Sequence, residues 1–98
     1  MGYSLSLAAR QDLRTIYMDS EAAFGETQAG RYVTGLRRTL TFLADNPRAA
    51  RERAEFEPPV RVHRYGSHVV IYVLDGEDVL VVRIRHGRED WAASPSGD

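Results

Sequence analysis

Four basic side chains crowd the last apolar run of the chain, VLVVRIRHGRED: Arg83, Arg85, His86 and Arg88. Arginine supplies a planar, permanently charged, bidentate donor, and histidine can carry a proton near neutral pH. The chemistry on offer is therefore anion binding, with proton transfer as a possible addition. Metal-free cleavage of RNA would need a base near the 2′-hydroxyl, an acid near the leaving oxygen and arginines around the phosphate. Arg61, Arg83 and His86, on neighbouring strands, would supply part of such a site. The same residues also make a basic binding face without turnover, and no carboxylate or lysine base accompanies them. The binding face is the preferred reading.

Other chemistries find less support. Ser4, Ser6, Ser20, Ser67, Ser94 and Ser96 fall in caps, turns or the tail, and none occupies the strained elbow of a triad hydrolase. His63, His68 and His86 belong to three different strands with no carboxylate at ligand spacing, so neither a metal nor a cofactor is expected. His68 shares strand parity with Val70 and Tyr72, which predicts a hydrogen-bonded structural histidine.

The elements that hold these residues can be read from periodicity. Val60 to Asp90 contains three runs with the period-2 alternation of strands, broken at Gly66-Ser67 and at Asp75-Gly76-Glu77-Asp78 where tight turns belong. In the last run Leu80, Val82 and Ile84 alternate with Val79, Val81, Arg83 and Arg85. Tyr3 to Leu7 predicts a short first strand, with Ser6 as N-cap of a helix from about Leu7 to Ala23. Ala9, Leu13, Ile16, Tyr17, Ser20 and Phe24 form its apolar stripe, and Gly25 stops it. A second helix follows from Glu26 or Thr27 to about Asp45, with Ala29, Tyr32, Val33, Leu36, Leu40 and Leu43 as its stripe and Asn46-Pro47 as its end. The short link makes the helices an antiparallel hairpin. Gly30 and Gly35 each weaken the second helix by roughly 1 kcal/mol relative to alanine, which predicts close packing of the two helices there. Arg48 to Pro59 reads as a connecting loop with one helical turn.

The 98 residues allow one domain with a single core, at 43% apolar content. This domain is expected over residues 1–91, with 92–98 as a flexible tail. The chain has no cysteine, no candidate membrane span and no signal-like N-terminus, so cytoplasm is the expected compartment. A formal charge of −1 argues against general DNA binding. All 13 cations are arginine, and the sheet is basic outside the turn that holds Asp75, Glu77 and Asp78.

The segments SLAARQDL, FGETQAGRYVTGLRRTLTFLADNPR, VRVHRYGSHVVIYV and VLVVRIRHGRED together resemble the ParE toxins of the RelE/ParE toxin–antitoxin superfamily. The resemblance covers about residues 3 to 90. It rests on Arg61, Gly66, His68, Tyr72, His86, Arg88 and Asp90 following the helical hairpin in order. The family usually has proline where Leu7 stands and often glycine where Pro59 stands.

The resemblance implies an α+β, RelE/ParE-like β-α-α-β-β-β fold, with the helical hairpin packed on a small, mainly antiparallel sheet. It implies a toxin that blocks DNA gyrase by protein contact and a ParD-like antitoxin that wraps it. Arg83, Arg85, Arg88 and Trp91 are the expected target-binding residues, since arginine and tryptophan dominate interface hot spots. Met18 and Phe42 lie off their helices' stripes and, with Gly35, are the expected antitoxin contacts. RelE-like ribosome-dependent mRNA cleavage by Arg61, Arg83 and His86 is the alternative. A binding module that has lost toxicity is the third.

Overall fold

A computed structural model describes residues 2–97. Ser6, in an extended conformation, ends strand β1 (Tyr3–Leu5) and starts helix α1 (Leu7–Phe24), its Oγ accepting the Ala9 N–H at 3.0 Å. A cap of this kind is worth about 1 kcal/mol. Gly25 joins α1 to helix α2 (Glu26–Asp45) at a φ of 91°, a value that favours glycine. Its N–H caps the Glu21 carbonyl. Asn46 closes α2 by donating both its backbone N–H and its Nδ2 to the Phe42 carbonyl.

After a two-residue strand β2 (Glu52–Arg53) come β3 (Val60–Tyr65), β4 (His68–Asp75) and β5 (Asp78–His86), an antiparallel meander. The five strands form one sheet in the order β1-β5-β4-β3-β2, in which only β1 runs parallel to its neighbour. Both helices cover one face. Leu13 and Ile16 of α1 and Leu36, Leu40 and Leu43 of α2 pack there on Val70, Tyr72, Val79, Val81 and Ile84. Tyr72 is wholly buried, and its hydroxyl donates to the Pro47 carbonyl at 2.9 Å, so no polar atom is stranded. On the opposite face Val60, Val69 and Ile71 form a smaller cluster under Phe56 and Trp91.

Four sequence expectations need correction. Arg48 to Pro59 contains no helical turn; it supplies β2, which pairs Glu52 with Arg61 and Arg53 with Val60. Two strand residues without an apolar alternation leave no periodic signal. The simple parity of β5 fails because Tyr72 pairs with Val81 but Ile71 pairs with Arg83, leaving Val82 as an extra, bulged residue. Val79, Val81 and Ile84 therefore share the helix-covered face, while Arg83 and Arg85 lie opposite Ile71 and Val69 of the other face. Gly35 does not admit α1: a side chain there would collide with the hydroxyl of Tyr65 from β3. The residues beyond Trp91 are not simply a tail, since Trp91–Ala93 forms a 3-10 turn and the Ser94 carbonyl accepts from Arg85 at 3.0 Å.

Candidate functional site

The bulge in β5 decides where the basic residues go. Arg83 turns back to α1, where its Nε and Nη2 donate to the two carboxylate oxygens of Asp12 at 2.6 and 2.8 Å. Asp12 also accepts the N–H of Ile84 at 2.9 Å. That backbone donor lies on the part of β5 that extends past β1, so Asp12 satisfies an edge group that no strand reaches.

Arg85 is held in a second brace. Its Nε donates to Glu89 at 2.8 Å while the same carboxylate accepts the His86 N–H at 3.1 Å. The hydrogen bond from Arg85 holds the Glu89 carboxyl below its usual range, against a smaller opposing effect of burial. Arg88 follows with an exposed side chain. Trp91 packs on Phe56 with ring centroids 6.0 Å apart, and Arg53 lies over its ring. Of the four residues expected to bind a target, Arg83 and Arg85 are thus committed inside the chain. Arg88 is open, and Trp91 is half-buried.

Arg61, Arg83 and His86 are not brought together. Arg61 and His86 pair with Tyr72 and His68 on the helix-covered face, four positions apart along β4, whereas Arg83 pairs with Ile71 of the other face. The Nη1 of Arg61 is engaged by the Ala50 carbonyl.

What the fold does bring together is a set not foreseen from sequence. His68 and His86 meet edge to face with ring centroids 5.1 Å apart. The Nδ1 of His68 lies 2.7 Å from the hydroxyl of Tyr32 on α2, which also accepts the Ser67 N–H at 3.1 Å. Burial, then repulsion from His86, lowers the His68 pKa below the usual imidazole value. Burial raises that of the Tyr32 hydroxyl. The imidazole is therefore neutral near pH 7 and shares a hydrogen bond with the Tyr32 hydroxyl, which also lies 3.3 Å from the Tyr65 carbonyl. These residues form the floor of a cleft of about 700 Å³ between the helix-hairpin end and the β3–β4 turn, whose rim includes Phe24, Arg64 and Arg88. The expected structural role of His68 in hydrogen bonding is present, but its contact with His86 depends on cross-strand register that periodicity does not give.

A second cleft, of about 800 Å³, opens beside β1 and is lined by Arg10, Arg14, Arg37, Tyr3 and Tyr17. The residues expected to meet an antitoxin are dispersed. Met18 is 59% exposed on the outer side of α1, and Phe42 is 47% exposed with its ring 6.0 Å from that of His63. Gly35 is covered by Tyr65. Among the described residues no group of histidines and carboxylates could hold a metal ion, and no helix is long and apolar enough to cross a membrane.

Residues 3–91 match the model of a family described as the ParE toxin of the type II toxin–antitoxin system parDE. The chain belongs to the ParE toxin family. Toxin ParE1 of Mycobacterium tuberculosis is 36% identical over 89 residues, covering 90% of this chain and 91% of the relative. Toxin ParE1 of Caulobacter vibrioides is 33% identical over 84 residues, covering 86% of each chain. A solved structure described as the chromosomal ParDE TA system from P. aeruginosa superposes with a TM-score of 0.73 and 21% identity, covering 88% of this chain and 95% of that one. The protein is thus a ParE-type toxin of a type II toxin–antitoxin system, with two helices on a five-stranded mixed sheet. In this ParE chain Leu7 is the first residue of α1 and is 73% exposed, so helix initiation relies on the Ser6 cap.

Proposed function

We propose that this ParE toxin inhibits DNA gyrase by protein contact at the exit of β5, and that a ParD-like antitoxin neutralises it in the cytoplasm. The observation that carries the reading is the brace around Glu89. One carboxylate ties the Arg85 side chain to the His86 backbone, and so fixes the segment that presents Arg88. A pre-ordered arginine loses little freedom on binding, which is what an interface anchor requires. The dispersal of Arg61, Arg83 and His86 over two faces speaks against cleavage of RNA by those three residues.

An antitoxin partner is supported by the family and by the ParDE description of the structural relative. Exposed Met18 on α1 and Phe42 on α2 offer an apolar anchor on each helix. A partner reaching both contacts the two helices of the hairpin.

The test is a gyrase supercoiling assay with cleavage-complex readout on chain freed from antitoxin, beside an mRNA cleavage assay on translating ribosomes. Gyrase inhibition without mRNA cutting is the expected result. Discrete new mRNA ends without gyrase inhibition would replace this reading with the ribonuclease one.

A further inference from the structure

The cleft over His68 and His86 sets Arg88 beside Arg64, Phe24 and two histidines that the gyrase reading does not use. The guanidinium groups of Arg64 and Arg88 have no hydrogen-bond or ion-pair partner among the described residues, although both line the same cleft. Arg64 lies against the backbone of Gly87, where a Cβ would come 3.4 Å from its Nη2 and 3.3 Å from the Ser67 carbonyl. The guanidinium thus sits in van der Waals reach of position 87, beside the Ser67 carbonyl. His86 adds a directed donor. Its Nδ1 accepts the Arg88 N–H at 3.0 Å, which places the proton of the neutral ring on Nε2. Beneath, Tyr32 fixes both the β3–β4 turn, through Ser67, and the ring of His68. Two unpaired guanidiniums and an imidazole N–H around one cleft match the several acceptor oxygens of a phosphate group. The exposed ring of Phe24, 67% accessible on the same rim, adds a flat apolar wall, and aromatic walls beside arginines suit nucleobases. Asp19 is the one carboxylate in the lining. A net charge of −1 disfavours a long phosphate track but not a site of one or two phosphates.

We infer that the cleft bounded by Phe24, Tyr32, Arg64, His68, His86 and Arg88 binds a nucleotide unit, with Arg64, Arg88 and His86 on the phosphate and Phe24 against the base. The unit can come from a free nucleotide or from a single strand of nucleic acid. The inference shares Arg88 with the proposed gyrase contact but does not rest on gyrase inhibition.

The experiment is an NMR titration of the full isotope-labelled chain with inorganic phosphate, adenosine monophosphate, a short single-stranded oligonucleotide and, as control, an acidic peptide of matching charge. Saturable shifts of the His68 and His86 ring signals and the Ser67 and Gly87 amides are expected, with the nucleotide binding more tightly than phosphate. Arg64→Gln or Arg88→Gln should weaken binding about ten-fold each. Arg10→Gln, in the other cleft, should leave it unchanged and so controls for general charge loss. An oligonucleotide that binds more tightly than the mononucleotide, with an added salt dependence of about 0.7 per further phosphate, identifies a single strand as the source. Equal affinity identifies a free nucleotide. Absence of saturable shifts, indifference to both arginine variants, or equal response to the acidic peptide would overturn the assignment. Because the readout involves no gyrase, its failure leaves the gyrase result standing.

Discussion

Asp12 of α1 receives three hydrogen bonds from two consecutive residues of β5, two from the Arg83 guanidinium and one from the Ile84 backbone. The pair is only modestly exposed, at 21% for the arginine side chain and 15% for the aspartate. Replacing Asp12 by alanine removes the bidentate acceptor of the Arg83 guanidinium and the acceptor of a strand N–H. The expected loss is about 2–3 kcal/mol, the range for removing one partner of a partly buried charged bond. Urea unfolding would show the midpoint fall at unchanged slope. Adding Arg83→Met to the alanine variant should cost less than Arg83→Met alone, since the bidentate bond is already gone.

The two glycines of α2 should respond with opposite signs. Gly30 has open space around a built Cβ, so Gly30→Ala is expected to stabilise by up to about 1 kcal/mol through helix propensity. Gly35→Ala meets the Tyr65 hydroxyl, which also donates to the Tyr32 carbonyl at 3.1 Å. It should destabilise, and Tyr65→Phe should relieve part of the clash. Thermal unfolding of the two single variants and the Gly35→Ala/Tyr65→Phe pair checks this.

Acid should weaken the fold through His68. Its pKa is lowered by burial and by His86 from the ordinary imidazole value of about 6.5, so the unfolded chain binds the proton more readily than the folded one. Stability from this residue is present above about pH 6.5 and is lost as pH falls toward the lower folded pKa. Denaturation at pH 7.5 and pH 5.5 would show a larger drop for the wild type than for His68→Gln.

Toxicity should separate the exit residues. Arg88→Ala is expected to reduce growth inhibition about ten-fold or more with little change in stability, because its side chain is exposed and has no partner among the described residues. Arg83→Ala should reduce stability as well, since it empties the Asp12 bond. Induction titrations beside unfolding curves distinguish the two. Equal toxicity of Arg88→Ala and wild type would remove Arg88 from the contact.

Antitoxin affinity should fall when either exposed anchor is made charged. Met18→Asp and Phe42→Asp are each expected to weaken it about ten-fold or more, measured by calorimetry, while leaving the unfolding midpoint within about 0.5 kcal/mol of wild type.

Local signals proved sufficient for most of the scaffold. Ser6, Gly25 and Asn46 act through neighbours a few residues away, so the ends of both helices were readable from sequence, as were the turns at Gly66-Ser67 and Gly76-Glu77. The site depends on pairings that span most of the chain. Arg83 and Asp12 are 71 residues apart in sequence, and Tyr32 and His68 are 36 apart. Neither leaves a periodic trace. The bulge at Val82 has the same character, because a one-residue shift in pairing reverses the face of every later side chain without altering composition. Reading β5 by strict alternation therefore kept Arg83 and Arg85 on one face with Val79 and Val81, whereas the register moves them to the other.

Ser6 has a consequence for self-association. Its N–H donates to the Val81 carbonyl and its hydroxyl to that of Val82, and Asp12 takes the next exposed donor, at Ile84. Helix α1 thus seals β5 where β1 runs out, and a growing chain of toxin molecules finds no template along that stretch. Strand-to-strand polymerisation on this side is left with the three residues of β1, too short to nucleate a fibre. On the other side β2 covers only Val60 and Arg61 of β3, and residues 62–65 carry the open edge.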